Sequence, residues 1–226
     1  MKIFSKIKLV FQSLFSYRPT DTAKPVVEPV ALLEVPYYPP VAPVVEPVAP
    51  TPAPVIIKPD VPEVQAPWME YAASYVGLKE IVGAKHNQTI LGWAKNLGKK
   101  VGIVFDADEI AWCGLFTGEI MNHSGFTPPN ICVRASEWTK FGVGINEGAY
   151  GAIMVFTRSG GGHVGFYVSE DETTYHILGG NQSNSVSITR IAKSRMTTIR
   201  WPAGIDLPKK GPVHRKFNGA ISKNEA

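Results

Sequence analysis

Apolar positions recur at helical spacing through the first half of the chain and at strand-like spacing through the second. Between Met1 and Tyr17, Ile3, Phe4, Ile7, Phe11, Leu14 and Phe15 fall three or four places apart, with Lys2, Lys6 and Ser13 on the other side. That pattern predicts an amphipathic helix. A second helix is expected from Pro67 to Tyr75 or Val76, with proline at a first helical position and Gly77 near its end. A third takes Asn87 as N-cap and runs through Ile90, Leu91, Ala94 and Leu97 to Gly98. A fourth is expected to start at Asp108, keep its apolar spacing through Phe116, Ile120 and Met121, and stop at Gly125. Arg134 to Phe141 has room for a short fifth.

After Gly148 the period changes. Ala152 to Phe156 reads as a buried strand, followed by His163 to Val168, Thr174 to Gly179, Ser185 to Ile191 and Thr197 to Trp201. Charged or small turn residues separate them. Helices first and consecutive strands afterwards predict an α+β fold with an antiparallel sheet.

Proline divides the chain. Of its 19 prolines, all but Pro128, Pro129, Pro202, Pro208 and Pro212 lie between Pro19 and Pro67. In the same stretch Pro-Val-Val-Glu-Pro-Val-Ala starts at both Pro25 and Pro43. Proline removes donors and fixes the backbone, so residues 19–66 are expected to be a disordered, semi-rigid linker. That leaves one domain over 67–203, long enough for a real core. Residues 204–226, with Lys209, Lys210, Arg215 and Lys216, are expected to form a basic flexible tail.

The net charge of +4 is concentrated at the two ends and does not read as a nucleic-acid-binding face. Residues 1–18 carry Lys2, Lys6, Lys8 and Arg18 and no acid. Such a helix suits the surface of an anionic membrane, or a partner. It has no apolar run long enough for a signal-peptide core. The expected route is therefore synthesis in the cytoplasm without an export signal. Two cysteines, Cys113 and Cys132, make no disulfide framework.

The chemistry centres on Cys113 and His163. A thiol near a helix N-terminus has its thiolate favoured by the dipole, and the thiolate is the nucleophile; the competing reading of Cys113 is a small core residue. His163 starts a strand after Gly160, Gly161 and Gly162, which let the backbone come close to another element. A base needs an orienting partner. If the hairpin turns near Asp171 or Glu172, His163 lies opposite Gly179 or Gly180, and Asn181 is a near or diagonal neighbour. His176 is the rival orienter; it then sits opposite Tyr167, roughly 13 Å along the strand. Trp112 and Tyr167 are candidates to line a substrate groove, whereas Trp138 reads as core. Asp106 and Asp108 lack the glycine and further oxygens of a calcium loop, so no metal is expected.

Three runs taken together carry a resemblance: Asp108 to Cys113, Gly161 to Tyr167, and Gly179 to Asn184. In this order they resemble the papain-like cell-wall cysteine peptidases, the CHAP amidases and their NlpC-type relatives. Residues Pro67 to Pro202 resemble in particular a phage and prophage group of CHAP-like lytic proteins. The resemblance implies a papain-like fold, with Cys113 as nucleophile, His163 as general base and then acid, and Asn181 as orienter. It also implies bacterial peptidoglycan as substrate, no cofactor, a monomer, and action at the cell wall after release or delivery, as in an endolysin. A delivered antibacterial amidase toxin and a non-catalytic wall-binding or virion module are the alternatives. Two positions depart from the family pattern. Upstream of Trp112 there are only Asp106, Asp108 and Glu109 where a glutamine or tyrosine often serves as a second oxyanion donor. Two places before Asn181, where a glutamate is common, this chain has Gly179.

Overall fold

The computed structural model describes residues 66–83 and 85–225. The expected helix over 1–18 and nearly all of the proline-rich linker lie outside the described residues. Three helices come first: α1 (Trp68–Ala73), α2 (Gln88–Leu97) and α3 (Cys113–His123). A 3-10 turn over Ala135–Lys140 follows, where the fifth helix was expected. The strands are β1 (Val143–Ile145), β2 (Ile153–Arg158), β3 (Gly161–Glu170), β4 (Thr174–Gly179), β5 (Ser187–Ala192), β6 (Met196–Trp201) and β7 (Ile221–Ser222). They form one sheet in the order β1-β6-β2-β3-β4-β5-β7. All pairs are antiparallel except β5 with β7. The chain is α+β. No described helix is long and apolar enough to cross a membrane.

Local signals explain most of these boundaries. The side chain of Asn87 accepts the Thr89 N–H at 2.9 Å and caps α2, and Gly98 ends that helix at φ 52°. The boundary of α3 differs from expectation: it starts at Cys113, with Trp112 as N-cap, not at Asp108. Asp108 is fully buried and accepts the N–H groups of Ile81 and Asn87 at 2.8 and 2.7 Å, tying the loop before α2 to the approach to α3. A cap that faces another segment cannot start its own helix, so the helix begins five residues later.

The core lies between the sheet and the helices. Phe116 on α3 meets Phe166 on β3 edge to face at 6.3 Å, and Trp68 packs edge to face on Trp201 at 5.2 Å. Trp138 is buried, as expected, and donates from its indole to the Cys132 carbonyl at 2.8 Å. The start of α3 presses closely on the segment at Cys132–Val133. A Cβ on Gly114 would overlap the Cys132 and Val133 carbonyls, so only glycine permits that approach. The thiol of Cys132 is free and buried.

The tail was expected to be flexible, but its described part is held to the domain. Arg215 N–H donates to the Glu170 carbonyl at 2.9 Å, and Glu170 N–H donates to that of Val213 at 2.8 Å. The β7 strand extends the sheet beside β5. Beyond it the buried Glu225 carboxylate grips both terminal nitrogens of Arg195, at 2.8 and 2.7 Å.

Candidate active site

Cys113 is the first residue of α3, and its own N–H belongs to the first helical turn, where donors have no intrahelical acceptor. The thiol is buried against β3, and the Val164 N–H acts on its sulfur. His163 is the residue immediately before Val164. Helix α3 packs on strand β3, so the cysteine and the histidine of the sequence reading lie buried on two neighbouring elements of the core.

The orienting partner of His163 is Gln182, which the sequence reading did not select. Nε2 of His163 and Oε1 of Gln182 are 3.1 Å apart. The Gln182 amide nitrogen donates to the Ile177 carbonyl at 3.3 Å and to the carbonyl and hydroxyl of Ser187. With that nitrogen committed to acceptors, Oε1 faces the imidazole as an acceptor, so Nε2 carries the proton and Nδ1 keeps its lone pair. Gly179 lies under this bond. A Cβ there would stand 3.1 Å from His163 Nε2 and 3.0 Å from Gln182 Oε1. The departure at Gly179 thus has a steric reason in this chain.

Asn181, expected as orienter, makes no side-chain hydrogen bond to a described residue, and its backbone is left-handed at φ 55°. The β3–β4 ladder ends at Phe166–Leu178, so no register carries Asn181 to His163. Asparagine is among the few residues that enter the left-handed region readily. Asn181 turns the chain, and the longer side chain of the next residue reaches the imidazole. The counting argument missed this because it carried the hairpin pairing past Leu178, whereas the ladder stops there and the chain turns at Asn181. His176, the rival, pairs with Ser169 rather than with Tyr167. Its Nδ1 is 2.7 Å from Ser169 Oγ, and its Nε2 is 3.1 Å from Asp171 Oδ2. It belongs to a separate network with Arg190, 2.8 Å from the same carboxylate oxygen. The one signal for Gln182 was its place beside Asn181 in the third run.

Trp112 and Tyr167 do not line a groove; both are fully buried. Trp112 donates to Glu80 Oε2 at 3.2 Å and packs beside Trp93. Tyr167 donates to Glu170 Oε2 at 3.0 Å. Large aromatic surfaces stabilise more inside a core than at its rim, and each ring finds a polar partner for its heteroatom. The cleft beside Cys113, about 690 Å³, is lined instead by residues including Ala111, Ala135, Phe156, Arg134 and Arg158.

Burial dominates the electrostatics. It pushes the Cys113 thiol above its usual range, against the opposing effects of the Val164 N–H and the Arg158 guanidinium. It lowers His163 to about 4, although the Glu225 carboxylate and the Gln182 side chain favour the charged imidazole. Arg158 and Arg195 oppose that charge. At neutral pH the resting pair is thiol and neutral imidazole.

Among the described residues, His86, Asp108 and Glu109 bring three ligand-type atoms within 4.8 Å of one another. One oxygen of Asp108 is taken by two backbone N–H groups and the other lies 3.0 Å from His86 Nδ1. Burial opposes ionisation of this carboxyl, but the N–H groups of Asn87 and Ile81 hold it below its usual range. The cluster serves as a brace between loops.

No protein-family model matches the chain, and no curated protein does.

Proposed function

We propose that the protein is a cysteine-dependent peptidoglycan hydrolase, an amidase or endopeptidase with a papain-like arrangement of its site. The observation that carries this reading is the thiol at the first residue of α3, packed on β3 at Val164, the residue next in sequence to a buried histidine whose Nε2 is fixed by Gln182. Substrate and setting rest on the resemblance of the three runs to phage CHAP-like lytic proteins.

The chemistry follows from the assigned protons. Nδ1 of His163 takes the thiol proton as sulfur attacks the amide carbonyl carbon. The oxyanion is stabilised by the Cys113 N–H, aided by the helix dipole. As the tetrahedral intermediate collapses, the C–N bond breaks and the imidazolium gives its proton to the leaving nitrogen, leaving a thioester. Water then attacks the thioester, with Nδ1 taking its proton, and the thiol and a carboxylic acid are released. Because both resting groups are neutral, proton transfer accompanies attack rather than preceding it.

Incubation of the protein and of Cys113→Ala with peptidoglycan from several Gram-negative species, followed by mass spectrometry, tests the reading. Free stem peptides, released only with Cys113 present, identify an amidase; cut cross-links or shortened stems identify an endopeptidase. Intact wall with both proteins overturns the proposal.

A further inference from the structure

The cleft beside Cys113 has a one-signed lining. Of the described residues that form it, only Arg134 and Arg158 are charged. Ile103, Ile110, Ala111, Val133, Ala135 and Phe156 supply apolar surface, and no carboxylate faces it. The two arginines come from different elements. Arg134 is the residue before the 3-10 turn and Arg158 ends β2. Arg134 is exposed and makes no side-chain hydrogen bond or ion pair with a described residue.

Arg158 is held in place. Its Nε donates to the Gly162 carbonyl at 3.0 Å, and its Nη1 donates to the Asn224 side-chain oxygen at 2.7 Å. Those two anchors fix the plane of the guanidinium and leave Nη2 for a ligand. Arginine binds carboxylates through charge-assisted hydrogen bonds, and a fixed guanidinium loses little freedom on binding. Arg158 is also close enough to Cys113 to act on its thiol.

We propose that Arg158, together with Arg134, forms a carboxylate subsite beside the nucleophile, so that the bond attacked is an amide flanked by a residue with a free carboxylate. This rests on the reading of Cys113 as nucleophile and names the substrate class within it. The apolar lining takes the backbone and small side chains of a peptide, and the arginines take its anion. A peptide whose flanking carboxylate is amidated loses that contact. It is therefore cut more slowly.

The subsite can be read without any wall substrate. Iodoacetate and iodoacetamide differ by one charge and alkylate the same sulfur, with loss of iodide. Their rates on Cys113 of the full-length protein are followed by peptide mass spectrometry, which separates Cys113 from Cys132. The iodoacetate-to-iodoacetamide ratio is expected to fall about tenfold in Arg158→Gln, the loss of one charge-assisted contact. Arg134→Gln lowers it less, and Arg158→Lys keeps most of it. Circular dichroism checks each fold. If Arg158→Gln unfolds, soluble muropeptides with free or amidated carboxylates are compared on the unaltered protein, where at least tenfold higher kcat/KM for the free acid is expected. Equal alkylation ratios in wild type and both glutamine variants, or equal cutting of the two muropeptides, overturn the subsite. A charge-dependent ratio in a protein that cuts no wall keeps the subsite and overturns the peptidoglycan reading instead.

Discussion

His163 Nε2 and Gln182 Oε1 stand 3.1 Å apart, and the Gln182 amide nitrogen is already held by the backbone of Ile177 and Ser187. The bond therefore fixes both the tautomer and the plane of the imidazole. Removing it leaves a histidine that is present but free to turn. Gln182→Ala is expected to lower the rate of wall cleavage, and of Cys113 alkylation by iodoacetamide at neutral pH, by about 10²-fold, within the usual worth of a positioned base. Asn181→Gly, which suits φ 55°, should leave both rates within about threefold of wild type. The reverse outcome would return the orienting role to Asn181.

Gly179→Ala places a methyl group against both members of the His163–Gln182 bond. Neither side chain can retreat easily inside the sheet. The expected result is a loss of activity with an overpacking cost of about 1–3 kcal/mol, seen as a lower urea midpoint and a lower cleavage rate. A variant with full activity would show that the pair tolerates separation.

Burial lowers His163 to about 4 from its ordinary 6.5. Below the unfolded value the unfolded chain binds a proton that the folded chain refuses. This group's stability is therefore full above pH 6.5 and falls as pH drops from 6.5 toward about 4, by on the order of 3 kcal/mol in total. Urea unfolding at pH 7, 6, 5 and 4.5 should show this slope, and His163→Gln should flatten it. The base stays neutral over the same window, so activity per folded molecule should persist to about pH 5. Loss of activity centred near pH 6.5 without unfolding would contradict the lowered value.

Glu225 and Arg195 form a bidentate pair with the carboxylate fully buried. Glu225→Gln leaves the guanidinium short of a counter-charge and is expected to destabilise the domain by about 2 kcal/mol. Replacing both partners with apolar residues should recover part of that loss. Equal unfolding midpoints for wild type and Glu225→Gln would mean that the segment after β7 adds nothing to the fold.

The α+β order of elements was legible because hydrophobic period is a local property. The Asn87 cap and the change of period after Gly148 could both be read from neighbouring residues. The start of α3 could not. Asp108 has the chemistry of an N-cap, and only the tertiary fold decides that its oxygens face Ile81 and Asn87. Trp112 and Tyr167 read as groove residues, and their burial is a property of the whole packing.

By itself, the sequence determined which residues could do chemistry and on which elements they sit: Cys113 at a helix start, His163 on a strand, and a polar run after the next strand. The tertiary structure decided which member of that run meets the imidazole. The β3–β4 pairing ends at Phe166–Leu178, and the left-handed turn at Asn181 passes the contact to Gln182. It also decided that Val213, Arg215, Ile221, Ser222 and Glu225 are tied to the sheet, because the partners that hold them, Glu170, Arg195 and strand β5, are remote in sequence. A local pattern fixes which groups a segment carries, whereas register and long-range hydrogen bonds fix which groups meet.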